Sequence, residues 1–185
     1  HTRYWRDWSS DVCSSDLIGQ ELTVTPLQLA LVFAAVANGG SVWWPRLVDR
    51  IEPGDELSPE PPERIRPGQL RSSIDIPRSH LAIVHAAMRD DVASDDGTGR
   101  ASRVPGYDVC GKTGTAEVKS GRKLVDRITW FASFAPFESP RYAVVVMVES
   151  GGSGGRTCAP VARRIYEHLR DRDRGGVQLG GVATP

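Results

Sequence analysis

Three consecutive segments in the second half of the chain have the composition of β-strands. They are rich in valine, threonine and aromatic residues, and they span Val109–Val118, Ile128–Pro136 and Arg141–Glu149. β-Branched and aromatic side chains favour strands, and the short connections favour antiparallel pairing of each strand with the next. The pattern predicts a three-stranded antiparallel meander. Residues 143–148 are apolar on both faces, so the third strand is predicted to be central and covered on each side.

A predicted helix precedes this sheet, and its two ends are clearly marked. Thr25 suits the N-cap, Pro26 the first helical position, and Gln28 the third position of a capping box. The following residues up to Val36 are almost all apolar, and Asn38-Gly39-Gly40 supplies a C-terminal stop. A helix that is apolar on every side is buried, so we expect packing partners around all of it.

Two further segments are predicted to be amphipathic helices. Ser79 is the expected N-cap of the first, and the second runs from Ala159 to Arg170 after the glycine-rich turn Gly151–Gly155. Apolar residues recur at helical spacing in both, at Leu81, Val84, Met88 and Val92 in the first and at Val161, Ile165 and Leu169 in the second. His85 lies on the first stripe and is interpreted as a histidine at the edge of the core, since no second histidine or cysteine lies at metal-ligand spacing.

The region between the first two predicted helices is expected to be a surface excursion. Residues 52–77 contain six prolines, many charges and few bulky apolar side chains. Just before it, Trp43 and Trp44 are adjacent. Two interpretations remain open for them, packing over a helix end and a platform that stacks on sugars; packing is favoured because aromatic rings bury large areas.

Composition excludes several classes of function. Lys plus Arg equals Asp plus Glu at 23 each, so there is no overall electrostatic case for nucleic acid or an anionic membrane as partner. The longest apolar runs fall below the roughly 20 residues that span a bilayer. The three cysteines, Cys13, Cys110 and Cys158, have neither zinc-site spacing nor the density of a disulfide scaffold. Cys110 is interpreted as a small buried strand residue; a nucleophilic thiol near Lys112 and a bridge to Cys158 are the alternatives.

The segment Lys112-Thr113-Gly114-Thr115 carries the clearest chemistry in the chain. It places a fixed cation, two hydroxyls and an unhindered backbone within four residues, which suits binding of a carboxylate beside an exposed strand edge. In an extended strand Lys112 and Gly114 face one way, and Thr113 and Thr115 face the other. Gly114 lets a ligand approach the backbone, and the next amide is then available to stabilise an oxyanion. The sequence predicts an anionic substrate.

Three other patterns invite different functions, and each has a simpler interpretation. Gly106 to Thr113 fits the phosphate-loop formula, but a poor strand precedes it and β-formers follow it where a helix is required. Gly152-x-Gly154-x-x-Thr157 resembles a dinucleotide turn but lacks the third glycine. Asp95 and Asp96 are an acid and base pair in one interpretation and a solvated turn in the favoured one.

Several ordered segments together resemble the class B penicillin-binding proteins. These are Ile18-Gly19-Gln20, Thr25 to Ala30, Ala37 to Gly40, Gly111 to Ala116 and Trp130 to Pro136, and the resemblance covers about residues 18–170. The Lys-Thr-Gly tripeptide is an established motif of that superfamily. The resemblance implies an α+β fold, an antiparallel β-sheet flanked by helices, of which this chain is the C-terminal part.

The resemblance also implies an activity. A serine-type D,D-transpeptidase cross-links peptidoglycan: its serine attacks the D-Ala-D-Ala amide, and an amine of a neighbouring stem peptide takes the acyl group. β-Lactam antibiotics mimic the donor and acylate the serine. Lys112 would be catalytic through its charge and would bind substrate together with Thr113, Gly114 and Thr115. Thr113 and Thr115 would bind the terminal carboxylate of the substrate, and the Thr115 amide would share the oxyanion hole. No cofactor and no metal are expected. A β-lactam sensor or a β-lactamase relative is the alternative within the superfamily.

The sequence departs from the family before Ile18. The Ser-x-x-Lys and Ser-x-Asn motifs belong there, and residues 1–17 contain neither. Those residues repeat Ser-Ser-Asp without a helical or strand period and are interpreted as a non-native leader, residues 18–170 as the C-terminal part of a transpeptidase domain, and 171–185 as a flexible tail. The chain alone is therefore expected to be inactive. The parent protein is expected to be membrane-anchored, with this domain in the periplasm or outside and with cell-wall synthesis partners.

Overall fold

The computed structural model of the protein describes residues 23–54, 61–120 and 123–175. The predicted leader, residues 1–17, and most of the predicted tail, residues 176–185, lie outside the described residues. In chain order the helices and strands are α1 (Pro26–Ala37), β1 (Ser41–Trp43), β2 (Arg50–Ile51), β3 (Glu63–Arg64), β4 (Leu70–Ser73), α2 (Arg78–Ala93), β5 (Cys110–Ser120), β6 (Lys123–Ala135), β7 (Tyr142–Glu149) and α3 (Ala159–Arg174). A 3-10 turn (Arg100–Ser102) follows α2, and a π-helical turn (Gly154–Cys158) leads into α3.

The main sheet is the predicted antiparallel meander, with strand order β5-β6-β7. Among the residues that the structure describes, β6 pairs with both neighbours and β7 pairs with β6 alone, so the prediction that the third strand is central is wrong for this part of the chain. The apolar residues on both faces of β7 are explained by helices that contact the strand. Val144, Val146 and Val148 pack against the cluster that includes α3, while α1 contacts the strand as well.

The two faces of the sheet carry separate hydrophobic clusters. On one face Phe131 of β6 packs with Cys158, Ala162 and Tyr166, which lie at the start and along α3. On the other, Phe134 packs with Cys110 of β5 and Met88 of α2, and side chains of α1 complete the cluster. Alternation along a strand sends odd and even residues of β6 to opposite faces, so one strand anchors helices on both sides. The observed fold is α+β, with helices flanking an antiparallel sheet, as predicted.

The start of α1 is the predicted capping box. The Thr25 hydroxyl accepts a hydrogen bond from the Gln28 amide at 3.2 Å, and the Gln28 side chain accepts one from the Thr25 amide at 2.8 Å. The predicted burial is wrong: only Ala35 is fully buried, and Leu27 and Val32 are each 52% exposed. α1 contacts the sheet, β1 and α2, and these contacts leave part of its apolar surface exposed among the described residues.

α2 lacks the predicted cap, and this difference provides a matched test. Its N-cap is Pro77 with no side-chain hydrogen bond, so Ser79 lies inside the first turn. Thr25→Ala is expected to lower the free energy of unfolding by about 1 kcal/mol, because it leaves helix amides without a partner. Ser79→Ala is expected to be neutral or slightly stabilising, since alanine is the better helix former. Urea unfolding of both variants measures the difference, and equal losses would contradict the assignment of the two caps.

The buried stripes of α2 and α3 differ from the predicted ones. Leu81, Met88 and Val92 are buried as expected, but Val84 is 43% exposed. α3 buries Ala159, Ala162 and Tyr166 and leaves Val161 and Ile165 exposed. Alanines allow the helix to approach the sheet closely, and the Tyr166 hydroxyl then reaches Ser133 at 3.0 Å in the core. α3 also continues to Arg174, beyond its predicted end and into the predicted tail.

The chain between α1 and α2 contains two small antiparallel pairs, β1 with β4 and β2 with β3, and the predicted excursion, residues 52–77, contributes β3 and β4 to them. The Arg71 guanidinium lies 4.8 Å from the centre of the Trp44 ring. Trp43 and Trp44 are 40% and 55% exposed, so packing leaves about half of each ring accessible. No helix within the described residues is long and apolar enough to cross a membrane.

Candidate functional site

The Lys112-Thr113-Gly114-Thr115 segment lies in β5 at the edge of the sheet. Lys112 is opposite Ala132 and Gly114 is opposite Trp130, so β6 pairs with one side of this segment. Within the described residues no strand pairs with the other side. Such an edge presents backbone N–H and C=O groups that can bind an extended peptide. The segment is therefore placed at an exposed strand edge, as the sequence predicts.

The side chains of this segment alternate between the two faces of the sheet. Thr113 is opposite Phe131 and so lies on the face that carries α3, whereas Lys112 is opposite Ala132 and lies on the other. Lys112 is exposed, and its ammonium donates a hydrogen bond to the Thr113 carbonyl at 3.2 Å. The structure thus brings the four residues together as predicted, and their binding and catalytic roles stay predictions.

Gly114 is supported from below by the turn that follows β7. A Cβ atom built on Gly154 would overlap the Trp130 carbonyl oxygen and lie 2.9 Å and 3.1 Å from the Gly114 oxygen and nitrogen. The turn therefore packs backbone against backbone beneath the site. A Cβ on Gly114 itself would make only an ordinary 3.5 Å contact with the Trp130 Cβ, so the space above Gly114 is free within the described residues. The glycines of the turn serve this packing, which does not fit the dinucleotide interpretation.

Thr98 is a residue of the site that the sequence pattern did not identify. Its hydroxyl lies 2.6 Å from the Thr113 hydroxyl and donates to Asp91 Oδ1 at 2.8 Å. Asp95, the neighbouring candidate acid, has a 96% exposed side chain paired with Arg103, which agrees with the solvated turn. The only sequence signal at Thr98 is a hydroxyl between two glycines, Gly97 and Gly99.

Cys110 is a buried strand residue and not a nucleophile. It is fully buried, and burial raises the pKa of its thiol to about 12. Cys158 is also buried and free, and it belongs to the cluster on the opposite face of the sheet. The sheet separates the two sulfurs, so the alternative of a bridge between them is wrong.

The burial of the Cys110 thiol predicts slow labelling by maleimide, and together with Tyr107 it predicts a lower free energy of unfolding at alkaline pH. Because the folded pKa of Cys110 lies above the unfolded value, folding favours the protonated thiol. Burial also raises the pKa of Tyr107 to about 12, which acts in the same direction. The free energy of unfolding is expected to be unaffected by these groups below about pH 8 and to fall as the pH rises from about 9 to 12. Maleimide labelling of Cys110 at pH 8 should be slow unless the chain is unfolded; rapid labelling would contradict the buried thiol.

The match of Gly106 to Thr113 to the phosphate-loop formula does not have the structure that its chemistry needs. A phosphate loop opens a helix, but Lys112 and Thr113 lie within β5, and the strand continues to Ser120.

His85 occupies the position predicted for it. Its Nε2 lies 2.8 Å from the Val36 carbonyl, and its ring centre lies 4.9 Å from that of Phe134. Among the described residues no group of three or more histidine, cysteine or acidic side chains is arranged to hold a metal ion.

Comparison with known proteins assigns this arrangement to one group. The family model described as the penicillin-binding protein transpeptidase domain matches residues 2–167. Penicillin-binding protein PbpB of Mycobacterium tuberculosis is 32% identical over 177 residues, which cover 90% of this chain and 26% of that protein. Peptidoglycan D,D-transpeptidase MrdA of Haemophilus influenzae is 34% identical over 183 residues, covering 90% and 27%. The chain spans about a quarter of the length of these relatives.

A solved structure shows the same fold. Penicillin-binding protein 3 of Mycobacterium tuberculosis, complexed with ampicillin, has a TM-score of 0.67 and 26% identity to this chain. The similarity covers 91% of this chain and 38% of that one. The family match begins at residue 2 and so includes residues 2–17 of the predicted leader, whose non-native origin stays a prediction.

Proposed function

This chain belongs to the penicillin-binding protein transpeptidase family, with class B penicillin-binding proteins as its relatives, and we propose on that premise that it forms the C-terminal part of a peptidoglycan D,D-transpeptidase domain. The observation that carries the proposal is the position of the Lys112-Thr113-Gly114-Thr115 segment in β5, on the edge with which no strand of the described part of the chain pairs. A stem peptide that ends in D-Ala-D-Ala is extended and anionic. Both properties suit an open strand edge with a fixed cation.

Each residue of the segment has a distinct part in the proposed reaction. The peptide donor adds to the edge of β5, where the backbone beside Gly114 is accessible. The Lys112 ammonium stabilises negative charge at the site, and hydroxyl groups of Thr113 and Thr115 contact the substrate. The Thr115 amide helps to hold the oxyanion of the tetrahedral intermediate. β-Lactams, which mimic the peptide donor, occupy the same position in this proposal; that a protein of this fold binds a β-lactam is supported by penicillin-binding protein 3 of Mycobacterium tuberculosis, solved in complex with ampicillin.

The nucleophile in this proposal is a serine outside the 185 residues. It belongs to the Ser-x-x-Lys motif expected before Ile18, together with Ser-x-Asn. The serine attacks the penultimate D-alanine carbonyl, the terminal D-alanine leaves with the proton, and an amine of a second stem peptide takes the acyl group. The parent protein is proposed to be membrane-anchored, to face the cell wall and to work with cell-wall synthesis partners.

Covalent labelling with a fluorescent penicillin tests the proposal. The parent protein, expressed with its upstream coding sequence, should form a stable acyl-enzyme, whereas the 185-residue chain should remain unlabelled. An unlabelled parent would refute the function, and a labelled 185-residue chain would refute the assignment of the nucleophile. Rapid release of hydrolysed penicillin would identify a β-lactamase, and stable acylation without cross-linking activity would identify a sensor.

A further inference from the structure

Trp43 and Trp44 are adjacent in the chain, but their side chains have different surroundings in the structure. Trp43 is opposite Leu70 in the pair of β1 with β4, and its ring lies beside Gly68, where an added Cβ would be 3.9 Å from Cζ3 of the ring. Successive residues of an extended segment point to opposite faces, so Trp44 points away from this contact. Packing across the strand pair accounts for Trp43 but not for Trp44.

A β-bulge in β4 places Arg71 on the Trp44 ring. The residues on either side of Arg71 pair with Val42 and Trp43, so Arg71 is one extra residue between the two pairs. A bulge changes the direction of a side chain at that point of a strand. The Arg71 guanidinium lies 4.8 Å from the centre of the Trp44 ring and covers one of its faces. Trp44 is nevertheless 55% exposed, so the opposite face of the ring is accessible to a ligand.

The Trp44 ring is held in place from two directions. Its backbone amide donates a hydrogen bond to the Gln69 carbonyl at 2.9 Å, and the stacked guanidinium of Arg71 supports the ring itself. A guanidinium that stacks on a ring keeps its N–H donors in its own plane, at the margin of the ring. A fixed apolar ring with donors at its margin suits a ligand that has a flat C–H face and oxygen atoms around its edge. A sugar ring has this chemistry.

The position of Trp44 relates it to the Lys112 segment. The last turns of α1 pack against the cluster that contains Cys110, which precedes Lys112 by two residues in β5 and so lies on the same face of the sheet. Trp44 follows Ala37, the last residue of α1, by seven residues and lies at most about 25 Å from it. A stem peptide held at Lys112 can therefore place the glycan to which it is attached near Trp44.

We propose that Trp44 and Arg71 form a saccharide platform that binds the glycan strand of peptidoglycan. This inference rests on the proposed function and makes its substrate contacts more specific. A sugar ring stacks on the open face of Trp44, and Arg71 donates hydrogen bonds to oxygen atoms at the edge of the sugar. The substrate is then bound at two places, through its stem peptide at β5 and through its glycan at the saccharide platform. Two linked contacts bind more tightly than either one alone.

The test measures binding of the parent protein to peptidoglycan glycan strands from which an amidase has removed the stem peptides. Trp44→Ala is expected to raise the Kd at least about tenfold, because a buried stacking tryptophan contributes a large part of a binding energy. Trp44→Phe keeps an aromatic face and should recover most of the affinity. Arg71→Lys keeps the charge but loses the planar guanidinium, so it should raise the Kd about threefold or more.

Trp43→Ala is the matched control, because it removes the neighbouring indole from the other face of the strand pair. It should keep the Kd within about twofold while lowering the urea concentration at the midpoint of unfolding. Equal weakening by Trp43→Ala and Trp44→Ala would overturn the saccharide platform, and so would an unchanged Kd in Arg71→Lys, which decides the matter even if Trp44→Ala does not fold. Absence of glycan binding by the wild-type parent would also overturn it and would favour a protein contact at Trp44.

Penicillin labelling separates this inference from the proposed function, since glycan binding does not need the nucleophile. A parent that binds glycan through Trp44 but is not acylated by penicillin would refute the D,D-transpeptidase function and support the saccharide platform. A parent that is acylated, but whose affinity for glycan does not depend on Trp44, would support the function and refute the platform.

Discussion

Replacing Lys112 by alanine is expected to lower the second-order rate of acylation of the parent protein by penicillin about 10²- to 10³-fold, the usual effect of removing a preorganised group that stabilises transition-state charge. The ammonium lies on the exposed edge strand and donates a hydrogen bond to the Thr113 carbonyl, a neighbouring backbone group that it can leave for an anionic ligand. The loss should appear in the rate of acylation more than in stability. Stopped-flow acylation together with urea unfolding separates the two.

Lys123→Ala is the matched control for this prediction. Lys123 is also an exposed lysine of the same sheet, at the start of β6 and away from the Lys112 segment. Its removal should leave the acylation rate within about twofold, because exposed isolated charges contribute little. Equal effects of the two substitutions would show that Lys112 acts only through the general surface charge, and the site assignment would then fail.

Gly154→Ala is expected to lower the free energy of unfolding by about 3 kcal/mol or more, because an added methyl that overlaps rigid backbone cannot be accommodated by a side-chain movement. The added methyl would contact the Trp130 carbonyl oxygen and the backbone nitrogen and oxygen of Gly114. Either the π-helical turn moves away from the sheet or the strand beneath the site moves. Both responses disturb β5 where the ligand is proposed to bind, so penicillin acylation of the parent should fall with stability.

Gly152→Ala provides the comparison, since it places the same methyl two residues earlier in the same turn. The nearest atom to a Cβ there is the Thr157 hydroxyl at 3.9 Å, so the methyl fits. A change in the free energy of unfolding below about 0.5 kcal/mol is expected from chemical denaturation. Similar losses for the two alanine variants would mean that the turn is flexible and does not support Gly114.

Local signals were sufficient where a feature depends on neighbours in the chain. The capping box of α1 needs only Thr25 and Gln28, and it forms as predicted. The meander needs three strand-like segments with short connections, and it has the expected antiparallel pairing. The buried faces of α2 and α3 could not be predicted as well from the sequence, because each helix has apolar residues at helical spacing on more than one face. In α3, Ala162 and Tyr166 are buried against the sheet, whereas Val161 and Ile165 are exposed.

The amino-acid sequence alone determined the three helices and the three strands of the main sheet, the family and the Lys112-Thr113-Gly114-Thr115 segment, because each depends on residues adjacent in the chain. Tertiary structure alone decided which strand is central, which side of each helix is buried, and that Thr98 lies 2.6 Å from Thr113. Those outcomes depend on contacts between distant segments, such as Gly155 against the Thr98 carbonyl. A periodic pattern records that a residue is apolar or polar, but only packing determines which partner it meets.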